Sequence, residues 1–143
     1  MKTISCDRLA ALLGGVVISR GKSGIIKGIE ENSGLVKKGT AFFCVPGKTA
    51  DGHNYALDAE SRGACCIVVS REVPGVKSAC VIKVDDVREA LYKAIDYFYG
   101  QYRKKVRVIG ITGTKGKTTT AYLALAMLKE AQGKEQAMIG TVE

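Results

Sequence analysis

Ten consecutive residues in this 143-residue chain have the types and spacing to hold a phosphate: Gly110-Ile111-Thr112-Gly113-Thr114-Lys115-Gly116-Lys117-Thr118-Thr119. An apolar run precedes them and a helix-forming run follows, which is the strand–loop–helix order of a phosphate loop. Backbone N–H groups of such a loop and of the first helical turn point at one spot, where the helix also carries partial positive charge. Gly113 and Gly116 let the backbone approach phosphate oxygens with no Cβ in the way. Lys117 is placed to reach the β- and γ-phosphates, and the Thr118 hydroxyl to ligate Mg2+ between them. A strict G-x-x-x-x-G-K-[ST] motif has glycine where this chain has Ile111; here the glycines fall at 110 and 113. The competing explanation is a Gly/Thr-rich turn with an incidental lysine, and the flanking strand and helix patterns weigh against it.

Positioning those residues requires a strand over 106–112 and a helix over 118–132. Ala121, Ala124, Leu125 and Leu128 fall on one face of that helix, and Gly133 follows as its stop. A further strand is expected over 137–142. Upstream, helix over 7–13 starts near Ser5 and stops at Gly14-Gly15. Short β runs follow at 16–18 and 25–29. Residues 40–45 read as a buried strand closed by Pro46-Gly47. Residues 53–62 read as a helix with Gly63 past its end. The apolar run 64–69 suits a strand covered on both faces, and 81–84 repeats the pattern. Asp86 opens a helix with Glu89 as the other half of a capping box, and Ala90, Leu91, Ala94, Ile95 and Phe98 fall at helical spacing. Alternation of strand and helix predicts an α/β fold with a parallel sheet. Gly100 reads as the end of the last of these helices. The chain then divides into a domain over 1–102 and the opening of a second, incomplete α/β domain over 103–143.

Composition agrees with a folded protein: 46% of residues are hydrophobic and 25% charged. The longest apolar runs are too short to cross a bilayer, and residues 1–20 lack the apolar core of a signal peptide. Five cysteines, without a CxxC pair and with one histidine, give no zinc-type spacing. Free thiols in a reducing cytoplasm follow, with Cys65 and Cys66 as inert core residues. The net charge of +8 is uneven, about +3 over residues 1–100 and +5 over 101–143. Such a balance suits an anionic partner: nucleic acid, phosphate ligand or membrane surface. Arg103, Lys104, Lys105 and Arg107 form a basic cluster that also reads as a solvated linker face. The absence of an aromatic-rich basic motif argues against nucleic acid. Tyr92, Tyr97, Phe98, Tyr99 and Tyr102 are explained by helix packing better than by base stacking.

The run from Gly110 through Thr119 resembles the ATP-binding loop of the Mur ligases, with Lys115 where that family usually has asparagine. The resemblance extends upstream. Asn32-Ser33-Gly34, then Val36 through Val45, then Gly47-Lys48-Thr49-Ala50-Asp51-Gly52-His53 form one ordered block. It is similar to the family's "D-S-R … G-D-L-F-V-A … G … D-G-H" run in the domain that binds the UDP end of the substrate. Asn32 and Gly34 replace the family's Asp and Arg, and Glu31 replaces an apolar residue. Ile139-Gly140-Thr141-Val142 fits the segment after the phosphate-loop helix. The match is closest to the members that add the third amino acid.

That resemblance implies a UDP-substrate-binding domain over 1–102 and the start of an ATP-binding domain over 103–143. It implies ATP and Mg2+ as cofactors, bound at Gly113, Thr114, Lys115, Gly116, Lys117, Thr118 and Thr119. Lys117 takes the catalytic role and Thr118 the metal. It implies substrate contacts from Ser33, Lys48, Thr49 and Ala50. The reaction implied is ligation of an amino acid, lysine or diaminopimelate, to UDP-N-acetylmuramoyl-dipeptide through an acyl phosphate, in peptidoglycan synthesis in the cytoplasm. Nucleic acid and membrane are not expected partners. The 143-residue chain alone is expected to be inactive, and its unfinished sheet edge to be open to self-association. His53 stands in this block either as a first-turn residue behind an Asp51 cap or as a substrate contact. Two other readings stay open: a free-standing nucleotide- or UDP-sugar-binding module, and another P-loop NTPase or kinase.

Overall fold

The computed structural model describes residues 2–22, 24–47, 50–103, 105–133 and 136–140. The chain forms two compact units, residues 1–105 and 106–143.

The first unit is built on a five-stranded sheet. Its strands are β2 (Val16–Ser19), β4 (Gly28–Glu30), β5 (Thr40–Phe43), β6 (Ala64–Val69) and β7 (Cys80–Lys83), in the order β2-β7-β6-β5-β4. The four from β4 to β7 run parallel, and β2 closes one edge antiparallel to β7. A second, two-stranded antiparallel sheet pairs β1 (Ile4–Ser5) with β3 (Ile25–Ile26). The apolar run 25–29 is therefore two strands, not one. Lys27, whose N–H donates to the Gly39 carbonyl at 2.8 Å, separates segments that serve different sheets.

Each central strand is apolar on both faces because both faces are covered. Along β5 and the next residue, Ala41 and Phe43 enter one core while Phe42 and Cys44 enter the other. In β6, Cys66 and Val68 alternate with Ile67 and Val69 in the same way. This is the period-2 alternation of a strand with no wet side. The first core is roofed by α1 (Cys6–Leu13) through Leu9, Ala10 and Leu13, and by α3 (Val87–Arg103) through Val87, Ala90, Ala94 and Phe98. The second is roofed by α2 (Ala56–Ser61) through Ala56 and Ala59. Phe42 and Phe43 are fully buried on opposite faces, each contributing about 1.5–3 kcal/mol of apolar burial.

Local signals set the helix ends. Ser5 caps α1 by accepting from the Arg8 N–H, and Gly14 ends it at φ +72°. Asp86 Oδ1 accepts from the N–H groups of Arg88 (2.7 Å) and Glu89 (3.2 Å). Glu89 pairs with Lys93 at 2.8 Å, so a one-sided cap and an i,i+4 ion pair share the first turn. Three expectations are corrected here. The helix over 53–62 opens as a 3-10 turn, Gly52–Tyr55, before α2. Gly100 does not end α3, which runs three residues further, to Arg103. Ile95 is 40% exposed, on the rim of the apolar stripe.

The second unit contains α4 (Lys117–Gln132), ended by Gly133 at φ +58°. Its half-buried residues include Ala121, Ala124, Leu125 and Leu128, the stripe its spacing predicts. Residues 106–112 are irregular rather than a strand, and among the described residues no strand pairs with them. A β conformation is held by its ladder, so apolar content alone does not make one. Residues 137–140 are likewise irregular, and 141–142 of the expected last strand lie outside the described residues. Among the described residues no helix is long and apolar enough to cross a membrane.

Candidate functional site

In a parallel α/β sheet, loops leaving the carboxyl ends of the strands meet along one edge, where such folds bind ligands. In the first unit that edge gathers the turn after β4, the loop after β5, the residues after β6 and the cap of α3. After β4, Asn32 accepts from the Gly34 N–H at 2.9 Å and opens the 3-10 turn Ser33–Leu35. After β5, Pro46 and Asp51 form a β-bridge, and the Gly47 N–H donates to the Ala50 carbonyl at 2.9 Å. The loop therefore folds back on itself and returns against its own strand. A Cβ on Gly52 would lie 2.7 Å from the Val45 nitrogen, so that return requires glycine.

Asp51 and His53 organise this edge. The Asp51 carboxylate accepts from the His53 N–H at 3.0 Å and the imidazole Nδ1 at 2.6 Å, and from Arg71 Nη2 at 2.8 Å. On the other side of the ring, Nε2 accepts from the Ser70 N–H at 3.1 Å. A backbone N–H always donates, so Nε2 carries no proton and Nδ1 donates to Asp51. The Arg71 hydrogen bond, followed by those from the His53 backbone and ring, holds the Asp51 carboxyl well below the ordinary carboxylate range. Arg71 is the chemically available group: its side chain is 57% exposed. A guanidinium has donors to spare once one is spent on Asp51. Arg88 braces the same loop by donating to the Pro46 carbonyl at 2.9 Å.

The phosphate-loop residues lie in the second unit. Gly116 is the N-cap of α4 at φ +78°, a left-handed conformation that strains any side-chain-bearing residue. Among the described residues no side chain caps this helix, so its first N–H groups are open to an acceptor. Thr114, Lys115, Lys117, Thr118 and Thr119 are exposed around them. This donor set — a helix N-terminus, two ammonium groups and hydroxyls — fits a polyphosphate, with the Thr118 hydroxyl available to a bound Mg2+.

Ser33 and Ala50 follow adjacent parallel strands at one sheet edge. Lys48 and Thr49 lie outside the described residues. Ser33 is half-buried, and its side chain hydrogen-bonds the Asp58 carboxylate, which it holds low together with Arg62. For His53, the structure selects the first-turn reading: the ring is buried and engaged at both nitrogens. Sequence reasoning missed Arg71 and Arg88. Arg71 lies just past a predicted strand and Arg88 in the first turn of the helix after the next one, the sheet end at which this fold type places ligand contacts.

Residues 25–99 match the Mur ligase family, catalytic domain. The chain belongs to the Mur ligase family. Among Mur ligase relatives, UDP-N-acetylmuramoyl-L-alanyl-D-glutamate–2,6-diaminopimelate ligase of Aquifex aeolicus is 47% identical over 117 residues, 82% of this chain and 24% of that protein. The ligase of the same name from Geobacillus thermodenitrificans is 41% identical over 134 residues, 94% of this chain and 27% of that protein. The chain thus spans about a quarter of the length of the curated Mur ligases it matches. Among solved structures, MurF from Acinetobacter baumannii superposes with a TM-score of 0.65 at 25% identity, over 91% of this chain and 28% of that one. MurF ligase from Thermotoga maritima in complex with ADP superposes with a TM-score of 0.57 at 29% identity, over 83% of this chain and 24% of that one. The mixed α/β architecture is accordingly that of the Mur ligases.

Proposed function

We propose that this chain supplies the UDP-substrate-binding domain, residues 1–102, and the opening of the ATP-binding domain, 103–143, of an enzyme of peptidoglycan precursor synthesis. The reaction is ATP-dependent ligation of diaminopimelate to UDP-N-acetylmuramoyl-L-alanyl-D-glutamate in the cytoplasm. The observation that carries this reading is the 47% identity to a ligase of that name, over a stretch that includes most of the first unit. Diaminopimelate, rather than lysine, rests on the names of the relatives.

In this reading Ser33, the loop holding Lys48, Thr49 and Ala50, and Arg71 meet the UDP end of the substrate at the sheet edge. Arg71 supplies the charge and Asp51 fixes its direction. The α4 N-terminus, Lys115 and Lys117 hold the nucleotide's phosphates, and Thr118 offers its hydroxyl to Mg2+. ATP supplies the phosphoryl group that activates the substrate carboxylate. Lys117 neutralises charge on the phosphoryl oxygens, a role made of position and electrostatics. A kinase with an unrelated first domain does not accommodate a Mur ligase match over residues 25–99.

The test is a pair of titrations followed by backbone amide shifts. ADP should move Gly113, Gly116 and Lys117, and Lys117→Ala should abolish those shifts. UDP-N-acetylmuramoyl-dipeptide should move Ser33, Ala50 and Arg71, and Arg71→Ala should weaken that response about tenfold or more, as expected for a lost charged hydrogen bond. Absence of both sets of shifts at millimolar ligand would overturn the assignment.

A further inference from the structure

Five cysteines are spread along the sequence with no metal-type spacing, yet the fold brings three of them to one point. Cys6 is the first residue of α1, and Cys66 and Cys80 are direct partners on the parallel strands β6 and β7. Their sulfurs all lie within 4.8 Å of one another. Cys66 and Cys80 are buried on the face of the sheet that α1 covers, while Cys6 is half-buried at the rim. The cluster therefore has a rigid floor and one ligand within reach of solvent.

We propose that Cys6, Cys66 and Cys80 form a three-thiolate binding site for a soft, thiophilic metal ion, separate from the nucleotide and substrate sites. The geometry argues for it. Metal–sulfur bonds of about 2.3 Å place neighbouring sulfurs roughly 4 Å apart, so the cluster needs to close by less than about 1 Å. Cys66 and Cys80 are held by the sheet, and the adjustment falls on Cys6 at the start of a short helix. Chemistry selects the ion. Three sulfurs with no oxygen or imidazole among them favour soft ions over Mg2+ or Ca2+. The chain's one histidine is committed to Asp51 and Ser70. On binding, three thiol protons leave to solvent as three metal–sulfur bonds form. A divalent ion leaves the complex with a single negative charge.

The other two thiols are internal controls. Cys65 neighbours the site, but its sulfur is directed at the Thr40 carbonyl, 3.6 Å away. Cys44 lies in the opposite core, where burial pushes its thiol up to about 12.

Cd2+ is the probe, added to the fully reduced 143-residue chain under anaerobic conditions. One equivalent should produce thiolate-to-metal charge-transfer absorption and raise the melting temperature, and Mg2+ should do neither. Cys6→Ser should weaken binding at least tenfold, with an unchanged circular dichroism spectrum showing that the fold survives. Cys65→Ser should leave affinity unchanged. Independently of any variant, alkylation mapped by mass spectrometry should show bound Cd2+ protecting Cys6, with Cys65 labelled as in the metal-free chain. An unsaturated titration at one equivalent, equal binding by Cys6→Ser, or protection of Cys65 in place of Cys6 would overturn the proposal.

Discussion

His53 is a strut, and its neighbours show what it carries. The ring joins the loop after β5 to the residue after β6, through Asp51 on one nitrogen and the Ser70 N–H on the other. His53→Ala removes both ring hydrogen bonds and empties the space of a buried imidazole, so it should cost about 2–3 kcal/mol. The check is the urea midpoint at unchanged slope. Asp51 adds a pH dependence of known sign. Its carboxyl is held low in the folded chain, so its contribution is fully present above the unfolded value near 4 and is lost as pH falls below it. Asp51→Asn should lower stability at neutral pH and reduce the further loss between about pH 5 and pH 3. Parallel acid titrations of the two chains, followed by circular dichroism, would reject this if their slopes were equal. The Asp51 cap and the first-turn histidine were legible because capping is local. Arg71 was not: its partner is 20 residues earlier, and only the parallel register brings them together.

Among the elements, α2 does more than roof a core. Glu60 Oε1 accepts from the N–H groups of Lys77 (2.9 Å) and Ala79 (2.9 Å) and from the N–H and hydroxyl of Ser78. One carboxylate thereby gathers the segment that leads into β7. Burial alone pushes Glu60 up, but the hydrogen bonds from Ala79, Ser78 and Lys77 outweigh it and hold the carboxyl below its ordinary 4.5. Glu60→Ala should cost about 2 kcal/mol and speed hydrogen exchange at Lys77 and Ala79 ahead of the rest of the sheet. Equal acceleration throughout the sheet would argue against a local clamp. In the second unit, Gly116→Ala should destabilise the start of α4 by about 1–2 kcal/mol, since Cβ is disfavoured in the left-handed region. Amide exchange at Thr118 and Thr119 reads that effect. Strand and helix identities were mostly legible because buried strands and amphipathic helices leave different periods. The failures have a common cause. Gly100 inside α3, and the apolar run 106–112 without a strand, both depend on contacts that local sequence does not encode. A packed helix tolerates a glycine, and a strand needs a partner.

At the scale of the whole molecule, residues 1–105 contain both cores and every described sheet. A chain ending at Lys105 should therefore melt in a single cooperative transition by circular dichroism. A broad, non-cooperative melt would place the boundary elsewhere. The parallel sheet was legible from strand–helix alternation, but strand order was not. Nothing local announces that β2 pairs with β7, or that Lys27 divides one apolar run between two sheets.

The position of β2 at the edge beside β7 also has a temporal consequence. Val16 pairs with Lys83, and the amino-terminal stretch is fastened later still: Lys2 donates to the Tyr97 carbonyl at 2.9 Å, and the Tyr97 hydroxyl to the Thr3 carbonyl at 3.3 Å. During synthesis these residues leave the ribosome well before the partners that lock them. Helix α1 and strand β2 wait, with Leu9 and Leu13 uncovered, until α3 has emerged. A nascent chain halted before Cys80 carries an unmatched β2 edge, open to chaperones and to neighbouring nascent chains.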